Sequence, residues 1–116
     1  MSQNVWVKCG KVYNLDPNSA GLTTTGPAPR IFKDSPYATF QATGTVSTGV
    51  GAATIAIEGS NLDDPNTFVN LGTLTLTLGT TTTASGIATT APWKYVRANV
   101  TALTGTNAIV YVTMGV

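Results

Sequence analysis

The segment GTLTLTLG (72–79) alternates without a break: Leu74, Leu76 and Leu78 fall on one face, Thr73, Thr75 and Thr77 on the other. Side chains of a strand alternate between two faces, whereas a helix needs apolar residues three and four apart, so this run predicts a half-buried β-strand. Thr is β-branched and suits a pleated, half-exposed surface. With 22 Thr in 116 residues, the chain predicts sheets whose outer faces are solvated by hydroxyls.

The same period recurs from Tyr37 onward. YATFQATGTV (37–46) and AATIAIEG (52–59) form two further strands, joined through Ser47 to Gly51. WKYVRANVTAL (93–103) places Val96, Ala98, Val100 and Ala102 on one face and Tyr95, Arg97, Asn99 and Thr101 on the other. NAIVYVTM (107–114) follows after a tight connection at Gly105, Thr106 and Asn107, and its apolar character predicts a strand inside a sheet. Shorter strands are expected at Phe68 to Asn70 and Gly86 to Thr89. Six to eight antiparallel strands separated by turn residues predict an all-β fold, a single sandwich of jelly-roll-like or Ig-like kind.

Residues 1–36 differ. NVWVKCGKVYNL supplies one or two strands, but DPNSAGLTTTGPAPRIFKDSP (16–36) holds four prolines and little periodicity. It is expected to be extended and without a core of its own. At about 3.3 Å per residue it reaches on the order of 60 Å, far enough to touch a neighbouring molecule. The chain therefore divides into an N-terminal arm, 1–36, and a sandwich domain, 37–116.

Composition then narrows function. The chain has 6 Lys+Arg, 5 Asp+Glu, no His and one Cys, with 9% charged residues and a net charge of +1. Without His, the Ser and Thr hydroxyls lack their usual base, and no GxSxG or SxxK supplies another. A net charge of +1 and six scattered basic residues do not neutralise a run of phosphates, so nucleic acid is not an expected partner. No apolar run approaches the roughly 18 residues of a membrane span, and no secretory signal layout opens the chain. Cys9 reads as a small reduced hydrophobe. Asp63 and Asp64, in EGSNLDDPN, carry the composition of a β-turn; with Glu58 and Asn61 they also offer oxygens of the type Ca²⁺ takes, but not at EF-hand spacing. An enzyme, a cofactor and a resident metal are not expected. GVGAAT (49–54) precedes no helix and is not a phosphate loop.

Aromatic and Arg residues dominate interface hot spots, and Trp6, Tyr13, Arg30, Ile31 and Phe32 lie outside the predicted sandwich. These are the expected partner contacts. Trp93, Tyr95 and Arg97, at the start of one strand, are the alternative ligand contacts.

IAIEGSNLDDPNTFVNLGTLTL (55–76) and APWKYVRANVTALTGTNAIVYVTMGV (91–116) resemble a pattern in small structural proteins of tailed bacteriophages, above all capsid cement or decoration proteins. The resemblance implies a virion protein, made in the host cytoplasm, that binds the major capsid protein and neighbouring copies of itself and staples capsid subunits together. WKYVRANV is also similar to a strand of discoidin-like carbohydrate-binding sandwiches, which implies a sugar-binding module of a tail, fibre or baseplate as the alternative. A lattice protein needs a stable domain and weakly charged faces that desolvate at little cost, and repeated contacts on a symmetric shell multiply modest affinities.

Overall fold

The computed structural model describes residues 12–16, 20–32, 38–89 and 93–116. Nine strands occur among them: β1 Val12–Asn14, β2 Gly26–Pro27, β3 Ile31–Phe32, β4 Ala38–Thr45, β5 Thr48–Ser60, β6 Val69–Leu78, β7 Thr83–Thr89, β8 Tyr95–Thr106 and β9 Ile109–Gly115. A single 3-10 turn, Pro65–Thr67, interrupts the β5–β6 connection.

The first sheet has the order β1-β9-β4-β7 and the second β2-β8-β5-β6, with β3 also on β8; all pairs are antiparallel. With β2 and β3 counted as one interrupted strand, the pairs β1·β9, β2/β3·β8, β4·β7 and β5·β6 are nested. The chain is thus one long hairpin rolled up so that successive pairs alternate between two sheets, which is the jelly roll and not the Ig arrangement. β9 lies between β1 and β4, inside its sheet as expected.

Alternation decides which faces meet. Phe40, Ala42, Val110, Val112 and Met114 from the first sheet pack against Ile55, Ile57, Leu74, Leu76, Leu78, Val96, Ala98 and Val100 from the second, all buried. Burying a side chain of this kind is worth about 1.5–3 kcal/mol, which makes this layer the main source of stability. Thr73, Thr75 and Thr77 stand exposed on the reverse of β6.

One face assignment changes. The pairing of β5 with β8 shifts between Thr54 and Ile55, so that Thr54 faces Ala102 while Ile55 faces Val100. The extra residue, Thr101, is a β-bulge that reverses the parity beyond it. Ala102 is therefore exposed, not inward as alternation alone predicts, and Leu103 packs on the core instead.

The described part of the N-terminal segment is extended, yet it does not reach away from the sandwich. β1 borders β9, β2 and β3 border β8, and Leu22 bridges Val110. Leu15 is 2% exposed and belongs to the core. Buried Asp16 accepts hydrogen bonds from the amides of Gly21 (2.9 Å) and Val112 (3.4 Å). Gly21 has φ +86°, and a Cβ there would lie 2.6 Å from Ile109 Cδ1, so this tight loop requires glycine. Backbone satisfaction thus holds the proline-rich stretch against the sheets where periodicity gives no hint of it.

Candidate functional site

The outer face of the second sheet carries the most chemically dense surface among the described residues, and the short β3 is what assembles it. Two prolines, Pro27 and Pro29, keep the segment before β3 extended; Ala28 N still donates to Ala98 O (2.8 Å), and Pro29, which donates no ladder bond, follows where the pairing breaks. Pairing resumes at Ile31 opposite Val96 and Phe32 opposite Tyr95. Ile31 turns its side chain toward the core. Phe32, 57% exposed, sets its ring at right angles to Tyr95 with centroids 5.7 Å apart.

Cations interleave with these rings. Arg30 Cζ lies 5.4 Å from the Tyr95 centroid and Lys94 Nζ 5.3 Å from that of Phe32. Arg97, two residues along β8 from Tyr95 and on the same face, lies 4.1 Å over the ring of Phe68. The negative face of each ring attracts the cation beside it.

Two arginine–carboxylate pairs set the charge. Arg30 grips Asp63 with both Nε and Nη2, the latter 2.8 Å from Oδ2. Both side chains are exposed, and the guanidinium holds the Asp63 carboxyl below its usual range while Asp63 raises Arg30. Arg97 Nε donates to Glu58 Oε1 at 2.8 Å, and Asn99 donates to Glu58 Oε2 at 3.2 Å. This second pair is only 12% and 14% exposed. Arg97 also donates to the carbonyl of Pro65.

The 60–68 loop that presents Asp63 and Phe68 is held from within. Ser60, buried at the end of β5, shares a hydroxyl bond with Thr67 (2.8 Å) and accepts from Leu62 N. Asp64 caps the 3-10 turn, its side chain accepting from Asn66 N and its carbonyl from Thr67. Asn61 accepts from Lys94 N, tying the loop to the start of β8. A groove of about 410 Å³ opens between this loop and the β2–β3 segment, lined by Pro29, Arg30, Asp63, Pro65, Phe68 and Arg97 among others.

Comparison with protein-family models, with curated proteins and with solved structures finds no match to this chain.

The fold therefore joins two groups of residues that the sequence separates. Arg30, Ile31 and Phe32, expected on an arm, meet Tyr95 and Arg97, expected at the mouth of a strand. Trp93 is nearby in sequence but packs inward: a Cβ on Gly59 would lie 2.8 Å from its Cγ, and the indole rests on the core. Tyr13 sits on β1 in the other sheet, opposite Met114 and packed on the core. Trp6 and Cys9 lie outside the described residues.

Asp63, Glu58 and Phe68 were not legible as partners of the arginines. The signal for Glu58 was present, because Glu58 and Arg97 both fall on outward positions of predicted strands. Their adjacency became visible only with the strand order. Asp63 and Asp64 do not act together: one grips Arg30 and the other caps a turn. Among the described residues, no three His, Cys, Asp or Glu side chains gather in a way that could hold a metal ion.

With both arginines matched by carboxylates and Lys94 stacked on Phe32, the surface offers aromatic stacking and planar hydrogen-bonding groups at low net charge. Such a surface suits docking against a weakly charged partner.

Proposed function

We propose that the chain is a structural attachment protein of a bacteriophage virion, a capsid cement or decoration protein that binds the major capsid protein and helps to hold neighbouring subunits together. The observation that carries this reading is the convergence of Arg30, Phe32, Lys94, Tyr95 and Arg97 on one face of a rigid jelly roll. Aromatic and Arg side chains are the groups from which interface hot spots are built, and the matched carboxylates remove the field that would favour nucleic acid. This role calls for shape, stacking and hydrogen bonds, with no proton-transfer group.

The resemblance of residues 55–76 and 91–116 to small phage structural proteins supports the same reading. Mass spectrometry and immuno-electron microscopy of purified virions test it: the protein should be found on the capsid shell in many copies. Purified protein should also cosediment with empty capsids at high salt, and Phe32→Ala should weaken that binding without changing the melting temperature by more than a few degrees. Absence from virions, or a location confined to the tail, would remove the capsid reading.

A second reading has one observation in its favour. The groove sets Phe68 beside Arg30, Asp63 and Arg97, and planar polar side chains next to a ring are suited to sugar hydroxyls and the apolar face of a pyranose. A carbohydrate-binding module of a tail, fibre or baseplate would use this groove. A glycan array with no hit, or binding that survives Phe68→Ala, would eliminate it.

A further inference from the structure

The two sides of the sandwich are built differently. On one side, the second sheet ends in β2 and β3, each two residues long, with Pro27, Pro29 and Arg30 beside them. Short strands, prolines and charge are the devices by which proteins keep a sheet edge from pairing with another chain. On the other side the second sheet ends in β6, ten residues long, and the first in β7, seven residues long. Neither strand contains a proline or a charged residue. No charge occurs anywhere between Asp64 and Lys94.

β6 is also regular. It pairs with β5 without interruption from Leu78 to Gly72, and the register shift lies beyond, at Ile57/Glu58. β6 has no strand neighbour on its outer side among the described residues. Half of its backbone amides and carbonyls therefore face outward along an uncharged edge.

We propose that β6 is the pairing edge for a second copy of this chain, forming a two-fold antiparallel β6–β6 junction that makes the two second sheets continuous. The strand matches itself. A two-fold axis through Thr75 sets Thr73 of one copy opposite Thr77 of the other, Thr75 opposite Thr75 and Leu74 opposite Leu76, because opposed residues of an antiparallel pair share a face. Cross-strand Thr pairs are favourable, and no like charges are brought together.

The contact area fits a reversible dimer. Ten residues span about 33 Å and the two sheet edges stand about 10 Å apart, so with flanking side chains each copy covers roughly 650 Å². That is somewhat below the roughly 800 Å² per partner of a standard stable interface, as suits a contact that forms reversibly. The inference rests on the fold and not on the virion reading, so the two fail separately.

Sedimentation equilibrium of the full chain from about 1 to 500 µM tests it, a range that covers weak and moderate self-association. A reversible monomer–dimer equilibrium is expected. Thr75→Lys and Thr75→Glu should each weaken it at least about tenfold, since each sets like charges face to face. Mixing the two variants should restore a one-to-one dimer. Thr101→Lys, on the same sheet face but on the inner strand β8, should leave the equilibrium unchanged. Circular dichroism and melting curves should show all variants folded. A monomer throughout the range, a dimer indifferent to both Thr75 variants, or variants that do not recombine would each overturn the proposal. So would capture of the β6 edge by another protein while the chain alone stays monomeric.

Discussion

Asp16 reaches across the whole chain to Val112: its Oδ1 accepts from the Val112 amide while Oδ2 accepts from Gly21. The neighbouring residue, Leu15, donates its own amide to the Val112 carbonyl at 2.8 Å and buries its side chain in the core. One carboxylate thus fastens the N-terminal segment to the last strand.

Asp16→Ala should lower the unfolding free energy by about 1–3 kcal/mol, because it leaves two amides in a buried setting without their acceptor. Asp16→Asn should recover only part of this, since one of its two acceptors becomes a donor facing an N–H. Urea unfolding of the three proteins checks the order, and hydrogen exchange at Gly21 and Val112 should rise in step.

The Arg97–Glu58 pair is mostly covered, so removing either partner strands the other. Glu58→Leu and Arg97→Met should each cost about 1–3 kcal/mol, less than a fully buried pair because some water remains, while the double variant should come close to wild type. A double-mutant cycle in thermal or denaturant unfolding measures the coupling.

For Arg30 and Asp63 the pH dependence has a definite sign. Hydrogen bonding to Arg30 lowers the Asp63 pKa in the folded state. The pair's contribution is therefore fully present above the ordinary Asp value of about 3.9 and is lost as pH falls through the lower, folded value. NMR titration of the Asp63 carboxyl should show a midpoint below the ordinary range, returning to it in Arg30→Ala. Because the chain has no His, attachment through this surface should vary little between about pH 5.5 and 7.5.

Gly59→Ala should dislodge the indole of Trp93, since the added methyl would fall 2.8 Å from Trp93 Cγ and 2.9 Å from Leu71 Cδ1. Destabilisation of about 1–3 kcal/mol with a red shift in tryptophan emission is expected. Trp93→Ala should lose stability in the same way and leave docking by Phe32 intact at low temperature.

How far these features could be read from the residues depended on the range of the interaction. Leu74, Leu76 and Leu78 announce their burial because period-2 alternation is local, and the same holds for Val96, Ala98 and Val100. Ala102 breaks the rule because the bulge at Thr101 arises from how β8 meets β5, which no single strand encodes. Leu15 and Asp16 are silent for a similar reason: a buried residue in a proline-rich stretch has no period, and its partners lie at the far end of the chain. Arg30 and Tyr95 stood out separately as interface residue types, but their meeting depended on β3 adding to β8.

The nested pairing has a kinetic consequence. β5 and β6 can close as soon as both are made, whereas β3 waits for β8 and β1 for β9, with Val12 opposite Gly115. At about 5–20 residues per second, the chain from Phe32 to Tyr95 takes on the order of 3 to 13 s to emerge. The nested order favours closure from the middle outward, in the slow, long-range regime of folding. During that interval β2 and β3 have no partner strand, and Pro27 and Pro29 act as guards of the nascent chain before they frame any binding surface.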